Sequence, residues 1–195
     1  MSYSETRLYR MSDTLVVAVF VLLSLALAWV SRVSLTAPRS HGFFRFFAWE
    51  AILALALMNL KTWFKQPFSW HQLISWLLLS ISALLVIDAL LRLKKSGGQD
   101  THRAEAPMLE FEKTTHLVTT GAYRYIRHPL YSSLLFLAWG VFFKAPGLAG
   151  ALLAGTASIL LVITAKIEEG ENLRYFGEEY RGYMDTTKMF IPYLY

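Results

Sequence analysis

A chain of 195 residues that is 55% hydrophobic, 15% aromatic and only 17% charged, with a mean hydropathy of +0.38, is too apolar for an ordinary water-soluble domain. It contains no cysteine, which excludes disulfides, thiolate nucleophiles and cysteine-ligated metals, and no metal is expected. The net charge of +5 would suit nucleic acid in a soluble protein, but in a membrane chain surplus Lys and Arg record orientation, so nucleic acid is not an expected partner.

Residues 14–31 form an uncharged stretch between Asp13 and Arg32, rich in Leu, Val and Ala. As a helix it spans about 27 Å, close to the roughly 30 Å hydrocarbon core, and is the first expected transmembrane helix. Arg7 and Arg10 precede it as in a signal peptide, yet it is long and ends at Trp29-Val30-Ser31-Arg32 without a small-residue cleavage pattern; it reads as a retained helix. After a polar turn over 33–42, a second helix is expected over 43–60, with Glu50 and Asn59 inside it. A carboxyl group at mid-membrane costs about 2.5–3.5 kcal/mol on insertion scales, so Glu50 should face protein or water. It either hydrogen-bonds in neutral form within the bundle or serves the substrate side. Trp63 and Trp70 bracket the next turn as interface anchors, and a third helix runs over 70–93, with Asp88 and Arg92 at ion-pair spacing.

Residues 94–127 are the longest polar segment: Lys-rich and Gly-rich at first, apolar again over 111–125. They lead into Gly121-Ala122-Tyr123-Arg124-Tyr125-Ile126-Arg127-His128-Pro129-Leu130-Tyr131, where the side-chain chemistry is densest. Pro129 pushes His128 out of the α region and suits the first turn of a helix, so a helix should begin at Pro129 or Leu130. Its unpaired N–H groups would then lie beside Arg127 and His128, a natural place for an anionic group. Between Arg127 and Lys166 the chain reads as a helical hairpin, 130–143 and 148–165, broken at Lys144-Ala145-Pro146-Gly147. The first arm, about 21 Å long, is short for a full crossing. The tail, 167–195, is amphipathic, with Gly177 able to end one helix and Glu178-Glu179 suited to the first turn of the next.

The expected architecture is an all-α, polytopic membrane helical bundle in a single domain, 1–195. Three N-terminal helices (1–93) are followed by a loop, hairpin and tail (94–195) that hold the site. Five crossings, or three with a re-entrant hairpin, put 14 of the 19 Lys and Arg on one face, which the positive-inside rule makes cytoplasmic together with the C-terminus. The hairpin also brings the cationic segment at Arg127 and His128 to the face of the acidic Glu168-Glu169-Gly170-Glu171. Facing lips of opposite sign can hold a ligand carrying both charges.

Thr120-Gly121-Ala122-Tyr123-Arg124-Tyr125-Ile126-Arg127-His128-Pro129-Leu130-Tyr131, followed by the acidic stretch that begins at Glu168, resembles the integral-membrane methyltransferases, the isoprenylcysteine carboxyl methyltransferases and their phospholipid N-methyltransferase relatives. The likeness covers about 117–184. It implies S-adenosylmethionine as cofactor and a membrane lipid or lipidated acceptor as partner. Leu117, Val118 and Tyr123 would line the cofactor cleft, His128, Pro129, Leu130 and Tyr131 would form its Arg-His-Pro-x-Tyr segment, and Glu168 would be its cofactor-contacting carboxylate. Arg127 and Glu50 are the candidates on the substrate side. One departure stands out: where the prenylcysteine branch carries a substrate-gripping arginine, this chain has Thr164. Two rival readings stay open, a sterol-reductase-like oxidoreductase using a nicotinamide and a non-catalytic or transporting bundle. Binding of S-adenosylhomocysteine or NADPH separates them.

Overall fold

The computed structural model describes residues 3–96 and 115–194, so most of the long polar segment lies outside the described residues, including the apolar start of its second half. Among the described residues seven α-helices follow in order: α1 Tyr3–Val30, α2 Arg32–Leu35, α3 His41–Met58, α4 Trp70–Ser96, α5 Pro129–Phe142, α6 Leu148–Phe176 and α7 Glu178–Thr186. The expected all-α bundle is the observed one, and α1, α3, α4 and α6 each carry a stretch long and apolar enough to cross a membrane.

Local chemistry explains the boundaries. Ser40 caps α3 by accepting the Phe43 N–H at 3.3 Å. Pro129 starts α5, preceded by His128 outside the α region at φ −122° and ψ 60°. Gly177, at φ +59°, turns the chain between α6 and α7 in a conformation that favours glycine, and Glu178 and Glu179 occupy the first turn of α7. The hairpin's second arm, expected over 148–165, continues as one helix to the break expected at Gly177. Helix α6 runs unbroken to Phe176, because nothing between Lys166 and Tyr175 breaks a helix except Gly170, whose cost is about 1 kcal/mol.

The helices pair as α3 with α6 and α4 with α5, with α5 also against α6. Small residues make the α3–α6 contact close: Ala48, Ala51, Ile52 and Leu55 meet Ala154, Ala157, Leu161 and Ala165. Lipid tails are as apolar as leucine, so the gain comes from packing and interhelical hydrogen bonds, about 0.6 kcal/mol each on average. Helix α4 supplies two such bonds to α5 carbonyls, Ser75 Oγ to Gly140 O and Ser82 Oγ to Ser133 O, both at 2.7 Å. At the far end Gln72 donates to Lys144 O at 3.1 Å and His71 to Phe143 O at 2.9 Å, so the α5–α6 turn is level with the start of α4. Short as it is, α5 therefore covers the same stretch as the first half of α4, and α4 then projects past it. Lys144 itself is buried, its Nζ 3.0 Å from Gln72 Oε1 and 3.2 Å from the centre of the Trp76 ring; burial pushes its pKa below the usual lysine range.

Helix α1 stands at the edge, with none of residues 13–30 buried as a span and one side on α3. Ser24 Oγ donates to Glu50 Oε2 at 2.6 Å across that contact.

Candidate functional site

Three chain ends converge at the end of the bundle opposite the α5–α6 turn: the last turns of α4, the first turn of α5 and the last three turns of α6. Between them lies a cleft of about 640 Å³ including its open mouth. Its apolar walls are Leu93, Leu117, Val118, Leu130 and Phe176. The polar lining is Tyr123, Arg127, His128, Tyr131, Glu168, Asn172, Tyr180 and Tyr183.

The roof, residues 117–124, is pinned to α4. Asp88 Oδ2 accepts the Ala122 N–H at 2.7 Å while Asp88 Oδ1 accepts from Arg92 Nε at 3.1 Å. The Asp88–Arg92 pair is therefore structural and also anchors the roof. Gly121, at φ +65°, sits directly over that pair; a Cβ there would lie 2.5 Å from Asp88 Oδ2. This anchor brings Val118 and Tyr123 into contact with Ala89 and Leu93.

His128 is 4% exposed and stacks on Tyr131, ring centres 5.5 Å apart at 17°. Its Nδ1 is 4.0 Å from Glu168 Oε2 and its Nε2 is 3.4 Å from Glu169 Oε1, without a well-aligned hydrogen bond at Nε2. Glu169 is held by Arg127 Nε at 2.6 Å. Helix α5 has no side-chain cap, and its first residues, Pro129, Leu130 and Tyr131, line the cleft wall. Tyr183, whose hydroxyl donates to Tyr123 O, and Tyr180 close the side; burial pushes both phenol pKa values well above 10, and the carboxylate of Glu168 adds to the effect at Tyr180.

All eight residues implied for the cofactor, namely Leu117, Val118, Tyr123, His128, Pro129, Leu130, Tyr131 and Glu168, are on this one lining. The two substrate-side candidates are placed differently. Arg127 reaches the cleft wall, but its guanidinium is engaged by Glu169, Met184 O and Thr187 O. Glu50 lies outside the cleft, on the side of α3 that faces α1, one carboxylate oxygen on Ser24 and the other buried without a hydrogen bond. Position 48 faces α6, and two residues on, at 100° per residue, the helix has turned nearly to its opposite side. Leu93, Asn172, Phe176, Tyr180 and Tyr183 also line the cleft and were not singled out. Asn172 carried a usable signal, one helical turn beyond Glu168 on the same face. Leu93 carried none, because α4 meets the roof only in the folded chain.

An all-α membrane protein with one such charged cleft at the end of its bundle is the class that fold and site define. Residues 70–179, more than half the chain, match the family described as phospholipid methyltransferase. The chain belongs to the phospholipid methyltransferase family. Over 72 residues it is 32% identical to the methanethiol S-methyltransferase of Pseudomonas deceptionensis, a match covering 37% of this chain and 27% of that protein. Over 73 residues it is 34% identical to methanethiol S-methyltransferase 1 of Bradyrhizobium diazoefficiens, covering 36% of this chain and 24% of the relative. The matched part is thus about a quarter of each relative's length.

Proposed function

We propose that this chain transfers a methyl group from S-adenosylmethionine to a lipid or lipid-like acceptor, at the cytoplasmic face of the membrane. The observation that carries the reading is the gathering of all eight resemblance-derived residues, 117 to 168 in sequence, on one lining. The residues fit the group. The carboxylate of Glu168 suits an amino group or ribose hydroxyls, the uncapped first turn of α5 suits a carboxylate, and Leu93, Leu117, Val118 and Phe176 suit a flat base. The bound cofactor would supply an electrophilic sulfonium methyl. The protein's share is alignment and exclusion of water, and the tyrosine-lined, largely buried wall serves both.

The acceptor is an amine or a thiol, not a prenylcysteine carboxylate. Thr164 is fully buried and its hydroxyl bonds back to Leu160 O at 2.8 Å, so no cation stands there to grip a carboxylate. The thiol reading is favoured by the two relatives named above, whose names specify methanethiol. Both acceptors must lose a proton before attack, so the rate should climb with pH, whereas a carboxylate is ionised above about pH 5 and gives a flat profile. The test is transfer of labelled methyl into total lipid extract, methanethiol and a prenylcysteine analogue, from about pH 6 to 9. Transfer into the lipid extract that rises with pH supports the reading, whereas transfer into methanethiol alone replaces the lipid acceptor by a small thiol. Efficient, pH-flat methylation of the analogue overturns the acceptor assignment, and binding of NADPH but not S-adenosylhomocysteine overturns the cofactor.

A further inference from the structure

The C-terminal residues do not line the cleft, yet they hold the segment that carries its charge. Residues 125–128 and 187–189 run side by side as a short parallel pairing centred on Ile126 and Lys188. The Arg127 N–H donates to Lys188 O at 2.8 Å, the His128 N–H to Met189 O at 3.2 Å, and the Lys188 N–H to Tyr125 O at 3.1 Å. Ser132 Oγ, in the first turn of α5, lies within hydrogen-bond distance of two carbonyls, His128 O at 3.0 Å and Phe190 O at 2.9 Å.

Beyond the pairing the chain dives inward. Met189 and Phe190 are 8% and 3% exposed and pack with Ala48, Tyr131, Leu161 and Ala165. The Phe190 ring is 6.2 Å from the His128 imidazole. His128 also faces two carboxylates, Glu169 Oε1 at 3.4 Å from Nε2 and Glu168 Oε2 at 4.0 Å from Nδ1. A buried imidazole takes its rotamer from such partners together with the walls around it. Those walls are Tyr131 and Phe190.

We propose that residues 187–190 are a positioning clasp, in which the backbone pairing sets the extended approach to Pro129 and the Phe190 ring sets the orientation of His128 in the cleft. Phe190 is a positioning residue: it acts on a bound ligand only through His128 and Tyr131. The affinity part of this inference rests on the cofactor reading; the conformational part does not.

The experiment uses the full-length protein in detergent: wild type, Phe190→Ala, Phe190→Leu, Ser132→Ala and, as a control of equal burial, Leu55→Ala. Leu55 is fully buried in the cluster with Val141 and Ala154, away from the cleft. Three quantities are measured: amide hydrogen exchange at Arg127 and His128 without ligand, the Kd for S-adenosylhomocysteine, and the unfolding midpoint. Phe190→Ala should speed exchange at both amides and weaken binding by about tenfold each, a step of about 1.4 kcal/mol. Phe190→Leu, which refills most of the volume, should restore both to within about threefold. Ser132→Ala leaves the core volume almost unchanged and should shift both quantities in the same direction if Phe190→Ala cannot be purified. Leu55→Ala should lower the midpoint without a selective effect on these two amides. The clasp is overturned if Leu55→Ala loosens the amides and the ligand as much as Phe190→Ala at equal loss of midpoint, or if Phe190→Ala and Ser132→Ala leave both unchanged. A wild type that fails to bind S-adenosylhomocysteine refutes the cofactor reading instead, and the exchange measurement still decides the clasp.

Discussion

Three carboxylates within four residues of α6 have three different fates, and their neighbours decide which. Glu168 opens into the cleft, its side chain 23% exposed, 4.0 Å from His128. Glu169 is locked by Arg127. Glu171 turns to α3 and accepts from His41 Nδ1 at 2.5 Å, with both side chains buried. Glu168→Ala should therefore weaken S-adenosylhomocysteine roughly ten- to a hundredfold in calorimetry, the loss of one charge-assisted hydrogen bond of about 1.5–3 kcal/mol, with little change in the unfolding midpoint. Glu171→Ala should do the reverse. Loss of the buried His41–Glu171 hydrogen bond in the α3–α6 contact costs about 1–3 kcal/mol, read as a lower midpoint in detergent melts. If the two variants bind the ligand equally well, Glu168 is only a surface charge. Gly121→Ala is a third case. The left-handed backbone alone costs about 1–2 kcal/mol, and the new methyl displaces Asp88 from the Ala122 N–H, so both stability and affinity should fall. Unchanged affinity in that variant would show that the roof is not held from α4.

Among the elements, α7 shows how a nine-residue helix earns a fixed position. It is anchored at one end by the Gly177 turn and along its length by Tyr180 and Tyr183, which are 2% and 8% exposed. The Tyr183 hydroxyl donates to the carbonyl of Tyr123, so the helix fastens the cleft roof to the tail. Burial keeps both phenols protonated in the folded state, with pKa values above the ordinary 10. The unfolded chain then releases these protons first as pH rises. The stabilisation is fully present below pH 10 and is lost as pH climbs toward the folded-state values. The unfolding midpoint should thus fall on the alkaline side of pH 10. Tyr183→Phe should flatten that slope and cost about 0.5–1.5 kcal/mol at neutral pH for the missing hydrogen bond. An alkaline slope identical in the variant and the wild type would place the phenol in water.

At the scale of the whole molecule, the cleft, the end of α4, the start of α5 and α7 share one end of the bundle, while the α5–α6 turn lies at the other. Asp13, early in α1, pairs with Lys61 at 3.1 Å beside that far turn, which sets the N-terminal part of α1 opposite the cleft. The topology expected from the sequence assigns 14 of the 19 Lys and Arg to one face, so a reporter after Tyr195 and a tag inserted within residues 97–101 should both read as cytoplasmic, and a tag before Ser12 should read as the opposite side. Loop and C-terminal reporters on opposite faces would contradict the hairpin and the cleft together.

What the sequence by itself determined was the helical membrane class, the start of α5 at Pro129 and the break at Gly177; the residues from 117 to 168 that line the cleft were implied by the family resemblance. The first three follow from local rules: apolar run length and the backbone restriction of proline and glycine. Contacts between elements distant in sequence were decided only by tertiary structure. Nothing in the order of residues says that Glu50 turns toward α1, that Arg127 is occupied by Glu169 and the Thr187 carbonyl, or that Met189 and Phe190 return to the core. A side chain's rotation about its helix and its partner across a gap depend on which helices pack together. In an apolar bundle with little amphipathic pattern, that choice rests on close packing and a few interhelical hydrogen bonds, which no single stretch of sequence displays.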